Sequence, residues 1–472
     1  MTGIAHGAPD NRSLLELAED ARPLLHPSVD HARWIQALAD AGRRIDALAQ
    51  LQIASQLPGG RAEAHESIAF VAFGLGAHDI AREMYSRVTR LMPKDATAWY
   101  NLAAAERTLG RLAQAEAACD RCLAFDPSMI QAALLRSHLR TQSTDANHID
   151  QLRRWLAACR DAKASILLNY ALGKELDDVG DYDQAFRHFA AGANARRRSL
   201  DYDVQQDVWK LQRIRESFDA ARLSRAGALQ PAQFGFILGL PRSGTTMIER
   251  VLTGNPAVAS NGETDNLVKA ITDGAPAEAP DVFARFAAAD PGRVRDAYRK
   301  RAADPRGRRL VLEKLPFNYL YAGAIRLMLP NARVILVTRS PADNCFAMFS
   351  TLFGSAYPFS YDLSDLATYF ISYRELMSHW QKVMPDQLLE VSYEAFIEQP
   401  AEEGARVAAH LSADWSDSMV HIENNPSASA TASAAQIRRP IYKNAAGRWR
   451  HYAKHLAPLL RSLEAAGIDT SV

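Results

Sequence analysis

The apolar positions follow two patterns, and the change between them divides the chain. Through the first 198 residues they recur at helical spacing, as in helices that bury one face. Within that stretch the pattern itself repeats. Gly42, Gly76 and Gly110 stand 34 residues apart, each is followed five residues later by an alanine (Ala47, Ala81, Ala115), and Pro93 and Pro127 keep the same interval. Such a unit predicts two antiparallel helices, with small residues where they touch, a glycine turning the chain and a proline ending the second helix. Residues 1–27 read as a helical lead-in and 28–198 as the repeat array. Within the array, residues 130–163 form a degenerate helical pair, and a later unit lies around Leu172, Gly173, Gly180, Ala185 and Phe189. Residues 199–231 are polar and helical, then loop-like, which predicts a connecting helix and a linker. Beyond it, FGFILGL, RRLVLEK, RVILVTR and LLEVSY are short apolar runs bounded by turn residues. Runs of this kind suit strands buried on both faces of a parallel sheet, so residues 232–472 are expected to form an α/β domain.

Trp99, Leu102, Ala103, Gly110, Ala115 and Pro127 stand at the consensus spacings of a tetratricopeptide repeat, as do Ile68, Ala69, Gly76, Ala81, Tyr85 and Pro93. The array resembles that family. The resemblance implies either a rigid helical platform or a concave surface that holds a peptide or a partner protein. Cys119 and Cys122 form a Cys-x-x-Cys pair, but they occupy helix-packing positions and read as small buried hydrophobes. Arg196, Arg197 and Arg198 read as a solvated basic face.

Composition narrows the function classes. Hydrophobic residues make up 48% and charged residues 23%, as in ordinary globular proteins, and the formal net charge is +1. That balance gives no global case for nucleic acid or an anionic membrane, so any anion site must be local. Four cysteines in 472 residues argue against a disulfide framework. The N-terminus lacks the pattern of a signal peptide and no run of 18 apolar residues occurs, which predicts a cytoplasmic protein without a membrane span. No His/Cys/Asp cluster has metal-ligand spacing, and His379, Trp380 and His451 sit at helical spacing among apolar residues, where core packing is the commoner role.

The candidate chemistry centres on Gly239-Leu-Pro-Arg-Ser-Gly244-Thr-Thr, between an apolar run and the helical pattern TMIERVL. The spacing is that of a Walker A loop, whose backbone N–H groups bind anionic oxygens at the start of a helix. Thr245 stands where the Walker lysine would be, and Arg242 supplies positive charge from inside the loop. A second run, RVILVTRS, ends on Arg339 rather than on the acid that a Mg²⁺-dependent kinase would need. Two basic strand ends suit a doubly phosphorylated nucleotide with no metal.

PRSGTT after one strand and VILVTRSPADNC after another resemble the two 3′-phosphoadenosine 5′-phosphosulfate (PAPS) motifs of sulfotransferases. With the GET segment, the EKLP segment and the RRPIY…GRWR tail in the expected order over residues 232–460, the chain resembles bacterial tetratricopeptide-repeat sulfotransferases, relatives of tyrosylprotein sulfotransferases. The resemblance implies a helical repeat array followed by a P-loop-like α/β sulfotransferase domain with a central parallel sheet. It implies transfer of a sulfuryl group from PAPS to an acceptor hydroxyl, on a protein tyrosine or a carbohydrate. Arg242, Ser243, Gly244, Thr245 and Thr246 would hold the 5′-phosphosulfate. Glu263 would be the general base, Lys314 would stabilise the bridging oxygen, and Ser433 would support the leaving group. Arg339 would hold the 3′-phosphate, with Tyr393, Arg439 and Arg448 on the nucleotide. The sequence departs from the family at Ala347, where a serine is usual, and Ser350 or Cys345 are the nearest replacements. The residues alone leave alternatives open: a solvated acid at Glu263, a Lys314–Glu313 ion pair, a core tyrosine at Tyr393 and surface charges at Arg439 and Arg448. A kinase and a non-catalytic scaffold are the rival functions, and loops 271–306 and 350–365 are the expected acceptor walls.

Overall fold

The computed structural model describes residues 27–276, 278, 285–286, 288–304, 306–431, 434–441 and 446–471. The array contains α1 (Val29–Asp40), α2 (Arg44–Gln56), α3 (Ala62–Gly74), α4 (His78–Leu91), α5 (Ala96–Thr108) and α6 (Leu112–Phe125). It continues through α7 (Ile130–Ser137), α8 (Ile149–Ala158), α9 (Ala162–Asp178) and α10 (Tyr182–Arg198). In α4 the buried residues Ala81, Met84, Tyr85, Val88 and Thr89 form one helical stripe. The repeated glycines end the first helix of a pair with one and the same turn. Ala77, Arg111 and Asp181 each donate their N–H to a carbonyl five residues back, across Gly76, Gly110 and Gly180 at φ of +76°, +77° and +85°. That left-handed position is what a Schellman turn requires, and it explains the 34-residue signal. Cys119 and Cys122 are buried as expected, and burial raises their thiols to about 12 and about 11.

The connecting helix α11 (Val204–Ser217) leads into the α/β domain. Its sheet is parallel throughout, with strand order β2-β3-β1-β4-β5. The strands are β1 (Phe234–Leu238), β2 (Val258–Ser260), β3 (Leu310–Lys314), β4 (Ala332–Thr338) and β5 (Leu388–Ser392). Four of the five are the apolar runs read from sequence; the three-residue edge strand β2 is too short to show a period. Central β1 is buried along its whole length and pairs Phe234 with Val311 on one side and Ala332 on the other.

One hydrophobic cluster runs without interruption from Cys122 in the array to Leu463 near the C-terminus. The last helix pair is built into the α/β domain. Tyr170 Oη donates to the Phe349 carbonyl at 3.3 Å, Phe189 meets Phe346 edge-on, and Phe186 stacks on His455 with centroids 4.4 Å apart. The basic run at the end of α10 is a clasp as well as a solvated face. Arg197 pairs with Asp365 at 2.7 Å, and Arg196 donates to the Gly354 carbonyl at 3.0 Å. Among the described residues no helix is long and apolar enough to cross a membrane.

Candidate active site

The site lies beyond the carboxyl ends of the strands, where parallel α/β sheets place their ligands. At the end of β1 the chain turns at Gly239, whose φ is +147°; a Cβ there would stand 2.4 Å from the Val337 carbonyl oxygen on β4. Arg242 follows at φ 67°, and Gly244 at φ 105° caps helix α12 (Thr245–Leu252) without a side-chain hydrogen bond. The first N–H groups of that helix have no intrahelical acceptor and carry the positive end of its dipole. Ser243, 1% exposed, lies beneath the loop, and its hydroxyl has no hydrogen-bond partner among the described residues. Ser243 does not line the cavity beside this loop, whereas Arg242, Gly244, Thr245 and Thr246 of the same loop do.

Next to the loop lies a cavity of about 490 Å³, lined by Arg242, Gly244, Thr245, Thr246, Arg339, Tyr393, Arg439 and Arg448. Arg339, just past β4, donates to the Arg242 carbonyl at 3.1 Å and lies over the Tyr393 ring, 4.9 Å from its centroid. Arg242 donates to Gln436 Oε1 at 2.9 Å. Ala347 and Ser350 are on the same wall, whereas Cys345 is wholly buried and does not line it. Of the two residues nearest the missing serine, only Ser350 reaches the cavity. The array also contributes, through Thr141, Asp177, Asp178 and Tyr182. These had no signal in sequence, because the contact depends on how the array docks. His451, read as a packing residue, stands on this wall as well, stacked on Tyr182 with centroids 4.1 Å apart.

A larger groove of about 1150 Å³ lies on the other side of Thr246 and Ile437, which line both spaces. It contains Glu263 and Lys314. Lys314 ends β3, is 0% exposed, and contacts Glu263, whose side chain is 41% exposed. Glu249 of α12 lies 3.8 Å from the same amine, and burial raises its carboxyl while Lys314 opposes the rise. The acidic loop is fixed to the strand ends: Lys314 N–H donates to the Gly262 carbonyl, and Gly262 N–H to Ser260 Oγ, both at 3.0 Å. The other walls come from the array (Arg44, Leu48, Phe73) and from Asp304, Arg306 and Arg308. Residues 350–365 do not line this groove, but Tyr357 lies near enough to Glu263 that its hydroxyl is raised first by burial and then by that carboxylate.

The alternative Lys314–Glu313 pair does not form. Successive residues of a strand face opposite ways, and Glu313 enters the core, where Tyr298 Oη and Asn318 Nδ2 each donate to it at 3.1 Å. Burial raises its carboxyl from the ordinary range near 4.5 to about 7 despite those hydrogen bonds. In that window the folded chain keeps a proton that the unfolded chain has released, so stability declines as pH rises towards 7. The shift corresponds to on the order of 3 kcal/mol at full ionisation. The thermal midpoint of the wild type is expected to fall across this window, and that of Glu313→Gln to fall less. Identical slopes would remove Glu313 as the source.

A strap made of residues 422–431 and 434–439 supplies walls to both spaces. Buried Arg250 donates to the carbonyls of Ile422 and Ser427 at 2.8 Å and also to that of Asn425. On the array side Ser429 N–H donates to the Thr108 carbonyl at 2.9 Å, and Arg438 packs against Gly110. Thr246 and Thr431 hydroxyls meet at 3.5 Å. Ser433 lies outside the described residues.

Residues 236–417 match the model of the sulfotransferase family, and residues 96–129 match a tetratricopeptide repeat. An Aquifex aeolicus (strain VF5) protein described as uncharacterized is 27% identical over 410 residues, which are 83% of this chain and 53% of that protein. The chain thus spans about half the length of that relative. A Caenorhabditis briggsae protein named "Putative protein-tyrosine sulfotransferase" is 26% identical over 262 residues, 51% of this chain and 90% of that protein. Among solved structures, the sulfotransferase domain of the Synechococcus PCC 7002 olefin synthase is similar at 18% identity and a TM-score of 0.36, covering 52% of this chain and 97% of that one. A sulfotransferase from Alicyclobacillus acidocaldarius is similar at 17% identity and a TM-score of 0.28, covering 51% and 98%.

Proposed function

We propose, from the match of residues 236–417 to the sulfotransferase family model and of residues 96–129 to a tetratricopeptide repeat, that this chain transfers a sulfuryl group from PAPS to an acceptor hydroxyl. One observation carries the reading. A wholly buried lysine meets a partly exposed carboxylate at two strand ends, in a groove that shares Thr246 with the arginine-lined cavity.

The loop from Arg242 to Thr246 and the N-terminus of α12 hold the phosphosulfate, and Arg339, Arg439 and Arg448 hold the remaining phosphate of the nucleotide. Tyr393 backs Arg339. The acceptor lies in the groove, its hydroxyl against Glu263. Glu263 takes the hydroxyl proton as the acceptor oxygen attacks sulfur, and the bond from sulfur to the bridging oxygen breaks. Lys314 stabilises the charge that develops on that oxygen, and 3′,5′-bisphosphoadenosine leaves. Contact with Lys314 holds the Glu263 side chain in place until the acceptor arrives. A protein tyrosine fits both the name of the Caenorhabditis relative and a groove whose far wall is the array; a carbohydrate hydroxyl is the other acceptor class.

Titration with 3′,5′-bisphosphoadenosine and with ATP–Mg²⁺ tests the donor. Tighter binding of the bisphosphate is expected; tighter binding of ATP–Mg²⁺ would favour a kinase. Radiolabelled sulfate should pass from PAPS to acceptors in the presence of the wild type. No transfer to any tyrosyl peptide or glycan would favour a non-catalytic scaffold.

A further inference from the structure

Three carboxylates, Asp177, Asp178 and Asp343, line a cavity read above as holding a polyanion. Left free, they would repel it. Each is turned onto a donor. Asp343 accepts from the N–H groups of Gly447 and Trp449. Asp178 accepts from the Gln142 N–H at 2.7 Å and from Lys174. Asp177 accepts from Tyr452 Oη at 2.6 Å and contacts the Arg448 guanidinium. Asp343 also lies 4.0 Å from Arg339, a cation of the same wall, but its hydrogen bonds go to backbone N–H groups, whereas Asp177 is in direct contact with its arginine. The cation that Asp177 grips itself lines the cavity, with its side chain 46% exposed, while Asp177 is nearly inaccessible at 6%. The anchor is rigid because α9 packs within the continuous core, and Arg448 follows the left-handed Gly447 in a single helical turn.

We propose that Asp177 is a positioning residue for Arg448, and that the repeat array is therefore part of the nucleotide site rather than an appended platform. The inference rests on the reading of this cavity as the nucleotide site. An arginine has five N–H donors, so the carboxylate holds one edge of the fork and leaves the rest for a phosphate. Holding the side chain before the nucleotide arrives removes much of the ordering cost on binding.

The sign of the effect separates this role from simple electrostatics. Removing a negative charge from an anion cavity should tighten binding if Asp177 is a bystander. As a positioning residue, Asp177→Asn in the full-length protein should weaken 3′,5′-bisphosphoadenosine about five- to tenfold. In transfer assays the KM for PAPS should rise by a similar factor while kcat stays within about twofold. In an Arg448→Gln background the Asp177→Asn change should cause no further loss. Equal or tighter binding by Asp177→Asn, or the same loss with and without Arg448, overturns the proposal. If Asp177→Asn does not fold, Tyr452→Phe removes the other tether on Asp177 and leaves the ion pair. Weaker binding by that variant supports the proposal and unchanged binding overturns it. A wild type that binds no bisphosphate overturns the nucleotide reading and this pairing with it. A wild type that binds it while Asp177→Asn is unaffected overturns the pairing alone.

Discussion

Replacing Lys314 with Ala is expected to lower sulfuryl transfer at saturating donor by about 10²–10³-fold, the usual effect of deleting one group that stabilises developing charge. The environment of the amine argues for the upper end. Lys314 is 0% exposed, and two carboxylates, Glu263 and Glu249, converge on it. Without the amine, Glu249 keeps a hydrogen bond from Ser260 but loses its cation. Breaking a buried ion pair from one side typically costs about 3–5 kcal/mol, so the thermal midpoint should fall along with the rate. Lys314→Arg should not restore activity, because a planar fork has no room at a fully enclosed strand end that fits a compact ammonium. Single-turnover transfer and thermal unfolding measure the two effects separately. A variant that folds and transfers within threefold of wild type would exclude Lys314 from the chemistry.

Glu263→Gln should reduce kcat by about 10²–10⁴-fold, the range for a general base, and leave 3′,5′-bisphosphoadenosine binding within about twofold. The split follows from position. Glu263 lines the groove and the arginines line the cavity, with Thr246 between. The glutamine carbonyl still accepts from Lys314, so the loop should keep its shape. Glu249→Gln is the matched control, because it removes the neighbouring carboxylate from the same lysine. If Glu249→Gln loses transfer and Glu263→Gln does not, the base has been assigned to the wrong acid.

The features legible in the sequence are those that local physics makes repetitive or extreme. The array announced itself because four of its helix pairs turn at a left-handed glycine, Gly42, Gly76, Gly110 and Gly180. The sheet was readable because strands buried on both faces are apolar without alternation, as in FGFIL. The loop was readable because Gly239, Arg242 and Gly244 serve one conformation, and the structure gathers the proposed arginines around it. Contacts made by docking left no trace. Asp177 lies on a helix whose sequence reports only its own packing, and nothing in it points to Arg448. Arg196 and Arg197 look like any solvated basic run until Gly354 and Asp365 are seen opposite. β2 was missed for a different reason: three residues carry no period.

Gly76 and Gly110 are spelled alike and turn the chain alike, but they are not equivalent. A methyl group at Gly76 would find nothing nearer than Arg44 Nη2 at 4.0 Å, while at Gly110 it would strike Arg438 Nε at 2.3 Å. The strap that supplies walls to both spaces also hangs from Thr108, one turn away. The repeats of this array are therefore not interchangeable modules. Solenoids commonly diversify by gaining or losing whole units, but inserting or deleting one between Gly110 and the docked pair α9–α10 would carry the strap's anchor out of register with the domain it serves. In this chain the number of units in that interval is tied to the contacts of Thr108 and Gly110 with the strap.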